Sequence, residues 1–161
     1  MKKSFPELLA AFVFFWKHYV FQSILATFVI YLILLFLTLQ EAVIIASLGA
    51  TTFIIFAMPK YITAQPRNVI GGHLIGLACG YLASMIPYEG FLSPPIIYAS
   101  AVGLSIFLMV ITNTEHPPAS GTALGVAISG FSFNVLAAVI TSVIALSAIH
   151  HFFRGYLQDL T

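Results

Sequence analysis

The residues most able to do chemistry lie between Thr112 and Gly125, in the order Thr-Asn-Thr-Glu-His-Pro-Pro-Ala-Ser-Gly-Thr-Ala-Leu-Gly. They gather an acid, an imidazole, hydroxyls and two prolines between two long apolar runs. Pro117 and Pro118 remove two backbone donors in succession and push Glu115 and His116 out of helical geometry. Ser120, Gly121 and Thr122 can then open a new helix whose first N–H groups have no internal partner. A second stretch of small and hydroxyl residues, Ser47 to Thr52, softens an earlier apolar run. If both stretches are helix starts, their unpaired N–H groups and positive dipole ends meet at a shared centre. An anion is favoured there without a buried arginine.

This gives Ser47, Gly49, Thr51, Thr52, Asn113, His116, Pro117, Pro118, Ser120, Gly121 and Thr122 as candidate substrate-binding residues. Arg67, Asn68, His73 and Glu115 are candidate gating or entrance residues. His116 and His73 are placed to gate the site or to carry a co-transported proton, because imidazole titrates near physiological pH. Three readings are open for Glu115: protonated, paired with His116, or exposed at a helix end. Arg67 is either an anchor at the membrane surface or an attractor of substrate.

The composition makes a bilayer the solvent. Sixty per cent of residues are apolar and 7% charged, and mean hydropathy is +1.04, against about 25% charged residues in soluble domains. The net charge of +1 comes with no basic run to track phosphates, so no nucleic-acid partner is expected. Cys79 is the only cysteine, which excludes a disulfide or cysteine metal cluster within one chain. Metal proteases carry two histidines four apart with a glutamate between; that spacing does not occur. No enzyme activity, cofactor or metal is therefore expected. No small-residue cleavage site follows Met1 to Phe15, so a signal peptide is not expected either.

The elements that must position these residues follow from the apolar runs of one transmembrane domain, 1–161. Phe5 to Gln22 is aromatic but holds Glu7, Lys17 and His18. It reads as an interfacial helix or as an extension of the first span. Ser23 to Leu39 is the first uncharged run, and Gln40 and Glu41 leave room for a tight turn. Ala42 to Met58 follows and ends at Pro59. Val69 to Ile86 carries Gly72, Gly76 and Gly80 at four-residue spacing, a small-residue stripe that suits either packing within the chain or a homo-oligomer face. Glu89 is the only charge in the next loop. Ile96 to Ile111, the weaker Ala119 to Phe133, and Asn134 to Phe153 complete six segments.

The two halves, 23–86 and 95–153, resemble each other weakly. Asn68-Val-Ile-Gly-Gly-His-Leu-Ile-Gly aligns with Asn134-Val-Leu-Ala-Ala-Val-Ile-Thr-Ser, and Leu48-Gly-Ala-Thr-Thr-Phe with Pro118-Ala-Ser-Gly-Thr-Ala. If all six segments cross, Lys2, Lys3, Lys17, Lys60, Arg67 and Arg154 share one side. If the second segment of each half is re-entrant, Lys60 and Arg67 move to the other. The positive-inside rule favours crossing, with both termini cytoplasmic. Three crossings per half invert the second repeat, an arrangement that places transport sites near the midplane. The expected fold is an all-α polytopic membrane protein of two inverted three-segment repeats with broken second helices.

Three ordered motifs carry a family resemblance: Ala46-Ser-Leu-Gly-Ala-Thr, then Ala64-Gln-Pro-Arg-Asn-Val-Ile-Gly-Gly-His73, then Asn113-Thr-Glu-His-Pro-Pro-Ala-Ser-Gly-Thr-Ala123. The chain resembles the HPP family of integral membrane proteins, named for the tripeptide found here as His116, Pro117 and Pro118. The resemblance implies a small membrane protein. Some bacterial and chloroplast members are associated with nitrite transport, and four spans are usually described against the six segments counted here. The expectation is a transporter or channel for a small inorganic anion, nitrite foremost, in a bacterial inner membrane. A structural or regulatory membrane subunit is the rival from another class, with an intramembrane enzyme behind it.

Overall fold

The computed structural model describes residues 5–34, 42–87 and 93–160, and within these the chain is all helical. The helices are α1 (Phe5–Leu34), α2 (Ala42–Ala57), α3 (Pro66–Ser84), α4 (Pro94–Ile111), α5 (Pro118–Ser129) and α6 (Phe133–Phe153), with a 3-10 turn at Ile62–Ala64. Prolines set three of the starts. Pro66, Pro94 and Pro118 each occupy a first helical position, where the missing N–H has no intrahelical partner to lose. The expected turn at Gln40 and Glu41, and Lys2, Lys3 and Glu89, lie outside the described residues.

Three sequence expectations are corrected here. The helix α1 runs unbroken from Phe5 to Leu34, so 5–22 extends the first long helix and is not a separate interfacial one. A charge such as Lys17 sets a helix's depth in the membrane but does not interrupt its hydrogen bonds. The helix α2 is also continuous through Ser47 to Thr52, so no second half-helix begins there. Finally, α5 ends at Ser129, because Gly130 turns the chain with φ of 79°. Its 12 residues span about 18 Å, well short of a ~30 Å hydrocarbon core. Among the described residues, three segments are long and apolar enough to cross a membrane: Val13–Tyr31, Pro94–Ile111 and Phe133–Phe153.

Neighbouring residues fix the directions. Gln22 meets Phe56 while Val29 shares a core with Ile44 and Leu48, so α1 and α2 are antiparallel. Gly72 lies by Met109 and Ala83 shares a cluster with Ile97, so α3 and α4 are antiparallel too. Gly72 lies by His116 and Ala119, and Gly80 by Ala123 and Val126, so α5 runs parallel to α3. Gly125 lies by Ile44 and Gly121 by Ser47, which makes α5 antiparallel to α2. His150, near the end of α6, bonds to Pro59 just after α2, so α6 runs with α2 and successive helices alternate in direction.

The helices that touch are α1 with α2 and, slightly, with α6, α4 with α5 and α3, α2 with α5 and α6, and α3 with α5 and α6. Exchanging α1 with α4, α2 with α5 and α3 with α6 leaves this set unchanged.

The glycine stripe is consumed inside the chain. A Cβ on Gly76 would sit 2.3 Å from the carbonyl oxygen of Ala119, and one on Gly80 2.6 Å from that of Ala123. Of the two readings of the stripe, packing within the chain is the one seen: α5 covers the Gly72–Gly76–Gly80 face.

Charge is one-sided. Lys17 borders a cavity with Phe153 and Tyr156, Lys60 donates to Gln158, and Arg67 and Arg154 flank the same helix ends. These are the basic residues among those described. At that end the carbonyls left over by α2 find long-range donors. The Gln22 amide donates to Phe56 O, the Leu160 N–H to Ala57 O at 2.8 Å, and His150 Nε2–H to Pro59 O at 2.8 Å.

Candidate functional site

The turn between α4 and α5 is built by local chemistry. Thr112 ends α4, and Asn113 takes a left-handed φ of 54°, which asparagine tolerates better than other non-glycine residues. The N–H groups of Asn113 and Thr114 then reach Val110 O (3.2 Å) and Met109 O (2.9 Å), the two bonds of a Schellman cap. Arg67 Nη2 donates to Thr112 O at 3.2 Å and Asn68 Nδ2 to Glu115 O at 3.1 Å, tying the turn to the start of α3. Asn113 is exposed and Arg67 is at the surface. Both serve to hold this turn.

Beyond the turn, His116 is carried inward alongside the second turn of α3. Its ring and that of His73 have centroids 5.2 Å apart, and both residues are fully buried. Between them stands Thr51, near the middle of α2. Its Oγ1 lies 2.9 Å from His73 Nε2 and 2.9 Å from His116 Nε2. On the far side of His73, Nδ1 is 2.8 Å from Thr122 Oγ1, which is 2.9 Å from Ser47 Oγ. Ser47 donates to Pro118 O at 2.5 Å. On the far side of His116, Nδ1–H donates to Thr63 O at 2.8 Å. Five side chains from α2, α3, α5 and the turn before α5 thus form one buried series of hydrogen bonds, closed at both ends by carbonyl oxygens. Ionisable groups at this depth in an apolar bundle mark functional sites by default, since burying them is costly. No third His, Cys, Asp or Glu joins the two imidazoles among the described residues.

The start of α5 does not offer the expected cradle of N–H groups. Pro117 and Pro118 have none, and the N–H groups of Ala119 and Ser120 already donate to His116 O (2.9 Å) and Pro117 O (3.2 Å). With α2 unbroken as well, opposed helix N-termini are corrected to facing side chains. Gly121 serves this packing: a Cβ there would lie 3.2 Å from Ser47 Cβ. Thr52 is buried but donates to Leu48 O on its own helix, and Gly49 faces open space. Neither joins the series. Ser120, Pro117, Glu115 and His116 line a cavity of about 400 Å³ with Ile106, Met109 and Val110 of α4. Sequence reasoning missed Thr63, whose carbonyl anchors His116, because a backbone acceptor leaves no trace in residue type. It missed the α4 wall because those residues read as ordinary span.

The family described as HPP, transmembrane region, matches residues 12–157. A transmembrane protein of Dictyostelium discoideum is 41% identical over 85 residues, 53% of this chain and 30% of that protein. A second transmembrane protein of the same organism is 33% identical over 81 residues, 50% of this chain and 26% of the relative. The matched segments thus cover less than a third of either relative. No solved structure matches. With the family matched across nearly all of its length and its tripeptide seated in the buried series, the chain belongs to the HPP family of integral membrane proteins.

Proposed function

We propose that this protein moves a small inorganic anion across the membrane, with nitrite the foremost substrate, through the region where the His116 cavity meets the buried hydroxyl–imidazole series. One observation carries the reading: two fully buried histidines and three buried hydroxyls converge inside the apolar bundle, below the turn between α4 and α5. Stability does not call for such a cluster, since buried polar groups at best recover what desolvation costs. The cavity beside His116 has room for a small oxyanion next to one end of the series. Alternating helix directions and the unchanged contact set under exchange of the halves support two inverted repeats, the scaffold on which transport sites form near the midplane. One-sided basic residues support a cytoplasmic location for both termini; a bacterial inner membrane is the location proposed with it. No catalytic role is assigned to any residue.

The test is nitrite uptake by liposomes containing the purified protein. Uptake should be saturable and exceed that of protein-free liposomes, and Thr122→Val, which cuts the series, should slow it at least tenfold. Uptake equal to that of protein-free liposomes, with monodisperse protein, removes the transport reading in favour of a membrane subunit.

A further inference from the structure

We infer that the His73–Thr51–His116 array is a proton-binding site, and that one proton travels with each monovalent anion; this rests on the anion-transport reading above. The series is one hydrogen short. The series runs Thr63 O, His116, Thr51, His73, Thr122, Ser47, Pro118 O, which makes six contacts. Both ends are carbonyl oxygens, which only accept. Each contact therefore needs a hydrogen from one of the five side chains between them. A hydroxyl brings one and a neutral imidazole one, so five hydrogens serve six contacts. Wherever they are placed, one contact brings two lone pairs together. One added proton, turning one imidazole into an imidazolium, supplies the sixth hydrogen and fills the series. The remaining bond, from Thr51 Oγ1 to Ser47 O at 3.1 Å, does not relieve this, because it draws on the same Thr51 hydrogen.

The proton brings a charge that needs a counter-charge. The titratable and charged groups around the pair are few. From α2 and α5 there are none, and from α4 only Tyr98. Along α3 there are Arg67, exposed and donating to Thr112 O, Cys79, about two turns beyond His73, and Tyr81, exposed and packed against Phe131. The connection before α3 brings Lys60, engaged with Gln158, and Tyr61. From α6, His150 is committed to Pro59 O and His151 is exposed. The break brings Glu115, which lines the same cavity as His116. Among the described residues no buried carboxylate pairs with the array, and two imidazoliums 5.2 Å apart would repel. The array thus takes a single proton, and a monovalent anion in the adjoining cavity completes its neutrality. Proton and anion favour each other's binding, as linkage requires, and leave together: one H⁺ and one anion enter and leave, with no other bond made or broken.

The experiment uses the full chain in liposomes with nitrite as the probe and the potential clamped by potassium and valinomycin, corrected for protein-free vesicles. An inward proton gradient should drive nitrite accumulation by about tenfold per pH unit, with no dependence on the clamped potential. In weakly buffered detergent solution, nitrite should draw roughly one proton onto the protein per anion bound. His116→Gln should abolish the response to the gradient, Thr51→Ser should keep it, and Glu115→Gln should keep the nitrite-linked proton uptake. The distant His151→Gln should behave as the parent protein. Nitrite uptake that ignores the proton gradient but follows the potential overturns the proton site and leaves anion transport standing. Loss of proton uptake in Glu115→Gln also overturns it, by making that carboxylate the counter-charge. Neither nitrite uptake nor nitrite-linked proton uptake in monodisperse protein removes the transport reading and the proton site together.

Discussion

Replacing Gly76 by alanine adds one methyl group and should nonetheless disturb both stability and transport. The new Cβ would stand 2.3 Å from Ala119 O, where ordinary contact begins at 3.4 Å. The obstacle is backbone, so a rotamer change gives no relief and α3 must move from α5 by about 1 Å. His73 lies three residues earlier on the same helical face. Its 2.8 Å contact with Thr122 would stretch toward 3.9 Å, beyond hydrogen bonding. Overpacking costs about 1–3 kcal/mol and a buried unsatisfied polar group about 1–3 kcal/mol, while helix propensity returns about 1 kcal/mol. The net expectation is a loss of about 1–5 kcal/mol, read as a lower melting temperature in detergent, together with slower nitrite uptake at temperatures where the protein remains folded. Gly103→Ala is the matched control, since nothing lies within 4 Å of its added carbon. A Gly76→Ala protein that melts and transports like the parent would refute the close α3–α5 contact and its coupling to the histidine.

Thr51→Val removes the hydroxyl between two imidazoles and strands one nitrogen on each. Stability should fall by about 2–6 kcal/mol, with Thr51→Ser close to the parent in the same thermal unfolding assay. Cysteines at Lys60 and Phe133, in a Cys79→Ala background, should react with impermeant reagent from opposite faces of the membrane; labelling of both from one face would contradict the alternating helices. Gln22→Ala should destabilise by about 1–3 kcal/mol and speed amide exchange at Gln158 and Leu160, whose segment it holds, in hydrogen-exchange mass spectrometry. Gly49→Ala, a helical position with open space around the added carbon, should be neutral or stabilising by up to about 1 kcal/mol in the same unfolding assay.

The helices were legible because apolar runs and prolines report directly on them: Pro59, Pro66, Pro94 and Pro118 lie at helix ends or starts. Five of the proposed site residues, Ser47, Thr51, His73, His116 and Thr122, do converge, and their polarity in an apolar chain is what singled them out. Their mode of engagement was read differently. Softness at Ser47 to Thr52 suggested a helix start, yet small hydroxyl residues sit within a continuous α2 by donating to their own helix, as Thr52 does to Leu48 O. The donors expected at the start of α5 were partly excluded by the sequence itself, since Pro117 and Pro118 carry no N–H. Gln22 looked like the flank of a span and is fully buried at 0% exposure, because its partners come from residues 56 and 158. No local pattern encodes that distance.

The shortness of α5 has an electrical meaning. Its first turn begins beside Gly72, six residues into α3 and so about 9 Å below that helix's end. His116 thus lies below the basic end of the bundle while Glu115 stays near it through Asn68, and the stretch left beyond His116 is about as long as α5, ~18 Å. A membrane potential drops mostly across the thinnest insulating layer. The work of moving one charge, about 2.3 kcal/mol per 100 mV, is then concentrated along the flank of α5 and does not spread over the ~30 Å of a full core. With the basic end cytoplasmic, a lone anion entering a negatively polarised cell would meet that field along the flank of α5, before it reached His116. An anion accompanied by a proton does no work against it.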